Sequence, residues 1–163
     1  MRNRKTLMMA YGAMIAALYV VLTYFISAFG LASGAIQIRI SEALCILPVF
    51  TPAAVPGLFV GCLVSNILTG CALPDVIFGS LATLLGAWGT WKLRHTKFLF
   101  TLPPVISNMV IVPLVLKFAY GLGDAWWYLV VTVGIGEFIS VCVLGKILHA
   151  ALKKVKHVFP VTE

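Results

Sequence analysis

The sequence contains few charged residues. Asp, Glu, Lys and Arg make up 10% of its 163 residues, and hydrophobic residues make up 61%, against about 25% and roughly 45–50% in ordinary soluble domains. So short a chain cannot bury that much apolar surface in water, which excludes the soluble globular and disordered classes. The apolar runs are continuous and do not alternate, which excludes a transmembrane barrel. The sequence therefore predicts an all-α membrane protein.

Groupings typical of enzymes and metal sites are also missing. The four cysteines, at 45, 62, 71 and 142, have no C-x-x-C spacing, and three of them lie inside apolar runs. Neither metal binding nor a disulfide framework is expected from that pattern. The sequence has no Gly-rich phosphate loop and no Ser or Cys that can be paired with a base. We therefore expect no catalytic residues, no cofactor and no enzymatic activity.

Charged residues delimit the apolar segments, and a span needs roughly 20 apolar residues. The segment 41–69 is ambiguous because Pro48, Pro52 and Pro56 break it, so it is either one broken helix or two short ones. We interpret the chain as one membrane domain, 1–163, in which the N-terminal apolar run is a retained span. The predicted spans are about 7–29, 41–50, 54–69, 75–91, 98–117 and 125–151.

The distribution of basic residues decides between the two interpretations of 41–69. If that segment crosses twice, ten of the twelve basic residues fall on one side, and only Arg39 and Lys117 lie on the other. If it crosses once, the basic clusters at 92–97 and at the C-terminus move to the opposite side. The positive-inside rule therefore favours a six-transmembrane-helix bundle with cytoplasmic N- and C-termini.

In this topology, polar groups gather toward the outer ends of the spans, beside the loops 30–40, 70–74 and 118–124. Ionisable groups inside a span usually face a cavity or a partner, so Glu137 is expected to point inward. Two tryptophans open the last span, and eleven residues separate Glu137 from the first of them, which predicts a shared helix face. The candidate ligand-binding residues are Gln37, Arg39, Glu42, Asn66, Asp75, Asn108, Trp126, Trp127 and Glu137.

Each of these residues also has a purely structural interpretation. Glu137 can pair with Asn108 and lock the bundle. Arg39 and Glu42 are three residues apart, a spacing that permits an ion pair on a helix surface. Trp126 and Trp127 can be ordinary aromatic residues of the membrane interface. The spacing alone leaves these alternatives open.

Small residues form a face on the first span. Gly12 and Ala16 are four residues apart, as are Ala13 and Ala17. Such pairs allow another helix to approach closely in lipid. This face serves either internal packing or the docking of another membrane subunit.

Two stretches resemble a known family. GAIQIRISEAL (34–44), followed by LP (47–48) and FTPAAVPG (50–57), is similar to QueT proteins, and so is DVIFGSLATLL (75–85). The resemblance implies a substrate-binding S component of an energy-coupling-factor (ECF) transporter in the bacterial cytoplasmic membrane, with the six-helix S-component fold. It further implies a binding site near the outer face, under a lid formed by the first outer loop.

The same resemblance implies partners and a ligand. The partners would be a transmembrane coupling protein, contacted through an Ala-x-x-x-Ala surface that Ala13 and Ala17 match, and two cytoplasmic ATPases. The ligand would be a queuosine precursor such as preQ1, a 7-deazaguanine that carries an aminomethyl cation. Carboxylates suit its N–H donors and its ammonium, amides or Arg39 suit its carbonyl, and a tryptophan suits its ring. The alternatives are an S component for another vitamin or nucleobase-like nutrient, and a membrane scaffold that transports nothing.

Overall fold

The computed structural model describes residues 4–28, 39–121 and 123–154, and every regular element in these ranges is helical. The prediction of an all-α fold is therefore confirmed. The helices begin and end close to the predicted segments, while the number of membrane crossings and the side on which the termini lie stay predictions. The helices are α1 (Arg4–Ala28), α2 (Ile40–Val49), α3 (Ala54–Leu68), α4 (Leu73–Lys92), α5 (Leu99–Phe118) and α6 (Trp126–Lys153).

Helices α1, α5 and α6 are long and apolar enough to cross a membrane, whereas α2 and α3 are shorter apolar helices. Helix α2 has only ten residues, but it is wound as a 3₁₀ helix. At about 2.0 Å per residue it is roughly 20 Å long, against about 15 Å for an α-helix of the same length. The tighter winding therefore lets a short segment cover most of the height of the bundle.

Helix α2 forms the centre of the bundle. Residues 41–48 are all buried, and the helix contacts α1, α3, α4 and α6. Around it, α1 packs on α3, α3 on α4, α4 on α5 and α5 on α6. Successive helices alternate in direction. We call the end that contains the α3–α4 turn the Asp75 end, and the end that contains residues 92–98 the basic end.

Glycines allow α1 and α3 to pack closely. A Cβ atom on Gly57 would lie 2.6 Å from the backbone oxygen of Gly12, and one on Gly61 would lie 3.0 Å from that of Ala16. Gly12 and Ala16 thus serve packing inside the bundle. Ala13 and Ala17, on the neighbouring strip of α1, are exposed. The structure therefore divides the predicted small-residue face into an internal pair and an external pair.

Candidate substrate-binding site

The carboxylate of Glu42 is the centre of a buried polar cluster. Three side chains from three helices donate to it: Tyr19 from α1 through its hydroxyl, Cys45 from α2 at 3.0 Å and Thr83 from α4 at 3.3 Å. The Glu42 side chain is completely buried. Donors from three helices therefore hold this carboxyl group in place. It links the central helix to two walls of the bundle.

Further polar contacts continue from Thr83 toward the Asp75 end. The Thr83 hydroxyl lies 3.4 Å from the Cys62 sulfur, and the Asn66 amide nitrogen lies 3.7 Å from the same sulfur. Asn66 also donates to the backbone oxygen of Asp75 at 3.4 Å. This chain of contacts connects the middle of α4 with its first turn.

Tyr120 completes the chain at the rim of the bundle. Its hydroxyl donates to Asp75 Oδ2 at 3.1 Å and accepts from the backbone N–H of Ala72, also at 3.1 Å. Burial raises the pKa of Tyr120 to about 12, and the negative charge of Asp75 acts in the same direction. The phenol therefore stays protonated and ties the start of α4 to the residues that follow α5.

Several buried polar atoms in this region make no hydrogen bond with any described residue. They are Asp75 Oδ1, Glu137 Oε2 and both amide atoms of Asn108. Asn108 on α5 lies next to Glu137 on α6, but its amide makes no hydrogen bond of ordinary geometry. A buried polar group without a partner costs about 1–3 kcal/mol, so native proteins keep few of them. Three such residues along one side of a small bundle, Asp75 near the rim and Asn108 and Glu137 deeper, are a feature typical of a binding site.

The cluster contains more acidic than basic groups. Glu42, Asp75 and Glu137 are buried, and the half-buried Arg39 is the one basic side chain described beside them. Arg39 lies within electrostatic range of both Asp75 and Glu42. Glu42 also lies within electrostatic range of Glu137. Carboxylates near each other in a medium of low dielectric repel, and a cation placed between them is stabilised.

An irregular turn of α6 follows Glu137. Residues Phe138–Leu144 are wound as a π-helix, although the helix on either side is an ordinary α-helix. Such turns are frequently found at functional sites. The π turn therefore marks the part of α6 that faces the cluster.

The structure brings together most of the residues predicted from the sequence. Glu42, Asn66, Asp75, Asn108 and Glu137 are buried within this region, and Arg39 lies at its edge. Gln37 lies outside the described residues, as does most of the predicted lid 30–40.

The two predicted tryptophans do not join the cluster. Trp126 is 47% exposed and Trp127 is 68% exposed, and the Trp127 ring packs edge-on against Tyr128. Trp126 is exposed whereas Glu137 is buried, so the two side chains have different surroundings although eleven residues of regular helix separate them. Helical side chains tilt toward the N-terminus, so a residue in the first turn of α6 points past the end of the bundle. Both tryptophans have the exposure typical of membrane-interface residues.

Five residues of the cluster were not among the predicted site residues: Tyr19, Cys45, Cys62, Thr83 and Tyr120. A signal for two of them is present in the sequence. Tyr19 follows Gly12 and Ala16 at helical spacing, and Thr83 lies two turns after Asp75 on the same face of α4. The other three carry no comparable signal, because apolar runs and loops contain many residues of these types.

Comparison with known proteins identifies similar sequences. The model of the family described as QueT transporter matches residues 9–154. The queuosine precursor transporter QueT of Lactococcus lactis subsp. cremoris (strain MG1363) is 36% identical over 85 residues, which are 52% of this chain and 50% of that protein. The chain thus aligns with about half the length of this curated relative. No solved structure matches the chain.

Proposed function

The chain belongs to the QueT transporter family, and on that premise we propose that it is the substrate-binding membrane subunit that captures a queuosine precursor. A multi-pass protein of the cell membrane suits this function. The observation that carries the proposal is the set of buried polar atoms on Asp75, Asn108 and Glu137 that have no hydrogen-bond partner among the described residues. A ligand that supplies both hydrogen-bond donors and an acceptor would satisfy all of them.

The chemistry of preQ1 fits these groups. Its guanine-like edge donates hydrogen bonds that a carboxylate accepts, and its carbonyl accepts from the Asn108 amide or the Arg39 guanidinium. Its ammonium offsets the excess of carboxylates over basic groups in the cluster. A neutral ligand of the same shape leaves that excess uncompensated. We therefore propose a cationic 7-deazaguanine over a neutral one.

Calorimetric titration of the purified protein tests this proposal. We expect preQ1 to bind more tightly than the neutral bases preQ0 and guanine, and vitamins not to bind. Glu137→Gln and Asn108→Leu should each weaken preQ1 binding by about tenfold or more, the usual effect of losing one good polar contact. Asp124→Asn is the matched control, because Asp124 is an exposed acidic residue near the same end of the bundle.

The result also separates the alternatives. Binding of a vitamin in place of the 7-deazaguanines would indicate an S component with another ligand. A protein that binds no small molecule, and in which Glu137→Gln changes nothing, would be a membrane scaffold. Equal losses in Asp124→Asn and Glu137→Gln would mean that the buried cluster is not the site.

We further propose that the subunit works in an ECF complex with a transmembrane coupling protein and two cytoplasmic ATPases. The ligand enters at the Asp75 end, which faces outward, and the bundle reorients to release it inside. Ala13 and Ala17 support this proposal because they leave an exposed strip of small side chains on α1. Gly12 and Ala16 lie against α3 and have a packing function instead.

Bulky residues on this strip test the coupling step. Ala13→Leu or Ala17→Leu should abolish uptake by cells, while preQ1 binding to the isolated subunit stays unchanged. Met14→Leu is the control, because Met14 is 68% exposed on the same helix and the change conserves volume. Loss of binding together with uptake in a folded Ala13→Leu variant would contradict the division between binding and docking surfaces.

A further inference from the structure

The basic end of the bundle has a small depression that is separate from the cluster around Glu42. The turn formed by residues 48–52 lines one side of it, and Trp91 and Arg94 at the end of α4 line the other. Its volume is about 30 Å³, which is space for one or two groups the size of a water molecule. We propose that it binds the phosphate of an anionic phospholipid.

Trp91 and Arg94 line the depression, and Lys92 lies beside the Trp91 ring. Trp91 Nε1 is buried and has no hydrogen-bond partner among the described residues. The Arg94 guanidinium stacks 5.0 Å from the Trp91 ring, with its Nη1 held 3.1 Å from the Trp91 backbone oxygen. Lys92 Nζ lies 5.4 Å from the same ring. An indole N–H can only donate, so the complementary group must be an acceptor.

No acidic side chain neutralises this region within the described part of the chain. The described acidic residues are Glu42 and Glu137 in the interior, and Asp75 and Asp124 at the opposite end. An unpaired donor beside an arginine and a lysine therefore favours an anion. Phosphate oxygens suit it, because they accept several charge-assisted hydrogen bonds at once.

An apolar strip on α4 identifies the anion as part of a lipid. Leu81, Leu85 and Trp88 follow one another at helical spacing and are 38%, 52% and 52% exposed. The next position on that strip is Lys92, whose Nζ lies 5.5 Å from the Trp88 ring. A phospholipid can lay an acyl chain along this strip while its phosphate meets the donors. Basic sites at the ends of membrane helices bind anionic headgroups in this way.

Native mass spectrometry of the detergent-purified protein tests the proposal. We expect dioleoyl phosphatidylglycerol to remain bound at roughly tenfold lower concentration than dioleoyl phosphatidylcholine, because the latter carries its own cation into a positive site. Arg94→Gln should weaken phosphatidylglycerol binding roughly tenfold, as expected for a lost charge-assisted hydrogen bond. Arg94→Lys keeps the positive charge and should therefore weaken phosphatidylglycerol binding less than Arg94→Gln does. Trp91→Phe removes only the N–H donor and should weaken binding about threefold.

Lys97→Gln is the matched control, because it removes one positive charge from an exposed position near the same end. If Lys97→Gln and Arg94→Gln weaken phosphatidylglycerol binding equally, the lipid is held by the general positive charge of this end, and the proposed site is wrong. Equal binding of the two lipids would overturn it as well. Displacement of the lipid by millimolar inorganic phosphate would show that the site takes the free anion. If Arg94→Gln fails to fold, Trp91→Phe still tests the proposal, and unchanged phosphatidylglycerol binding in that variant would overturn it.

Discussion

At the scale of single residues, the buried polar groups fall into two classes. Glu42, Thr83 and Asn66 have hydrogen-bond partners, and they hold three helices together. Asn108 has none among the residues that the structure describes, although its side chain is only 1% exposed. Partnered groups stabilise the fold, whereas an unpartnered group lowers its stability and is retained for another reason. Replacing one residue of each class by leucine measures how the two classes differ in their contribution to stability.

Asn108→Leu and Asn66→Leu should have opposite effects on stability. At 108 the change removes an amide that has no partners, so we expect the free energy of unfolding to rise by about 1 kcal/mol. At 66 it breaks the hydrogen bond to Asp75, so we expect a loss of about 1–2 kcal/mol. Thermal unfolding of the detergent-purified variants measures both values. A loss of stability in Asn108→Leu would show that the amide has a structural partner.

Tyr120 predicts a pH dependence at the rim of the site. In the folded protein its pKa is about 12, whereas an ordinary tyrosine has a pKa near 10. Folding therefore favours the protonated phenol. This contribution to stability is intact below pH 10 and decreases as the pH rises through about 12. The free energies of unfolding of the wild type and of Tyr120→Phe are to be measured between pH 8 and pH 12, and the difference between them is the quantity of interest.

Below pH 10, Tyr120→Phe should be less stable than the wild type by about 0.5–1.5 kcal/mol, because the bonds to Asp75 and Ala72 are lost. The difference should shrink toward pH 12. Tyr24→Phe is the control, because Tyr24 is 60% exposed on α1. A difference that stays constant with pH would contradict the protonation argument.

At the scale of helices, α2 and α6 depart from regular α-helical winding. The 3₁₀ winding of α2 places Glu42 among three donors, and the π turn of α6 begins directly after Glu137. The two irregular segments contact each other, and Gly145 lets Ile46 approach to 2.9 Å from its would-be Cβ position. Irregular winding thus occurs at the two helices that carry the central carboxyl groups.

Close helix contacts give a prediction for stability. Gly57→Ala would place a methyl group 2.6 Å from the Gly12 backbone oxygen, so α1 and α3 must move apart. We expect a loss of about 1–3 kcal/mol, the usual cost of overpacking. Gly123→Ala is the control, because no atom of the described residues lies within 4 Å of its added Cβ position. An unchanged melting temperature for Gly57→Ala would show that the contact is loose.

The sequence was sufficient to predict the helices but not their winding. Charged residues and prolines bound each apolar run, so segment positions such as 54–69 correspond to a helix, Ala54–Leu68. The same apolar sequence is compatible with a 3₁₀, an α or a π helix. Which of the three forms depends on tertiary contacts, such as that of Gly145 with Ile46. For the same reason, Glu42 and Glu137 could be named as candidates, whereas Cys45 and Tyr120 could not.

At the scale of the whole molecule, the charge distribution predicts orientation. Lys92, Arg94 and Lys97 lie at one end, and Asp75 and Asp124 lie at the other. Cys71, in the turn before Asp75, is half-buried, while the other three cysteines are buried. A natural thiol therefore reports on the end that is predicted to face outward.

We expect a membrane-impermeant maleimide to label Cys71 in intact cells. Cys71→Ser should abolish this labelling, since the remaining cysteines are buried. Lys97→Cys introduced into Cys71→Ser should react only after the membrane is permeabilised, because Lys97 is exposed at the basic end. Labelling of both positions from the same side would contradict the six-span topology.

The shallow seating of α1 has a consequence for how the bundle comes apart. Of the membrane-spanning windows, 22% of that in α1 is buried by protein, against 44% in α5 and 56% in α6. Local opening starts where the fewest buried contacts must be broken. Of these three helices, α1 is therefore the one that we expect to separate first, and its separation would remove the Tyr19 hydroxyl from Glu42.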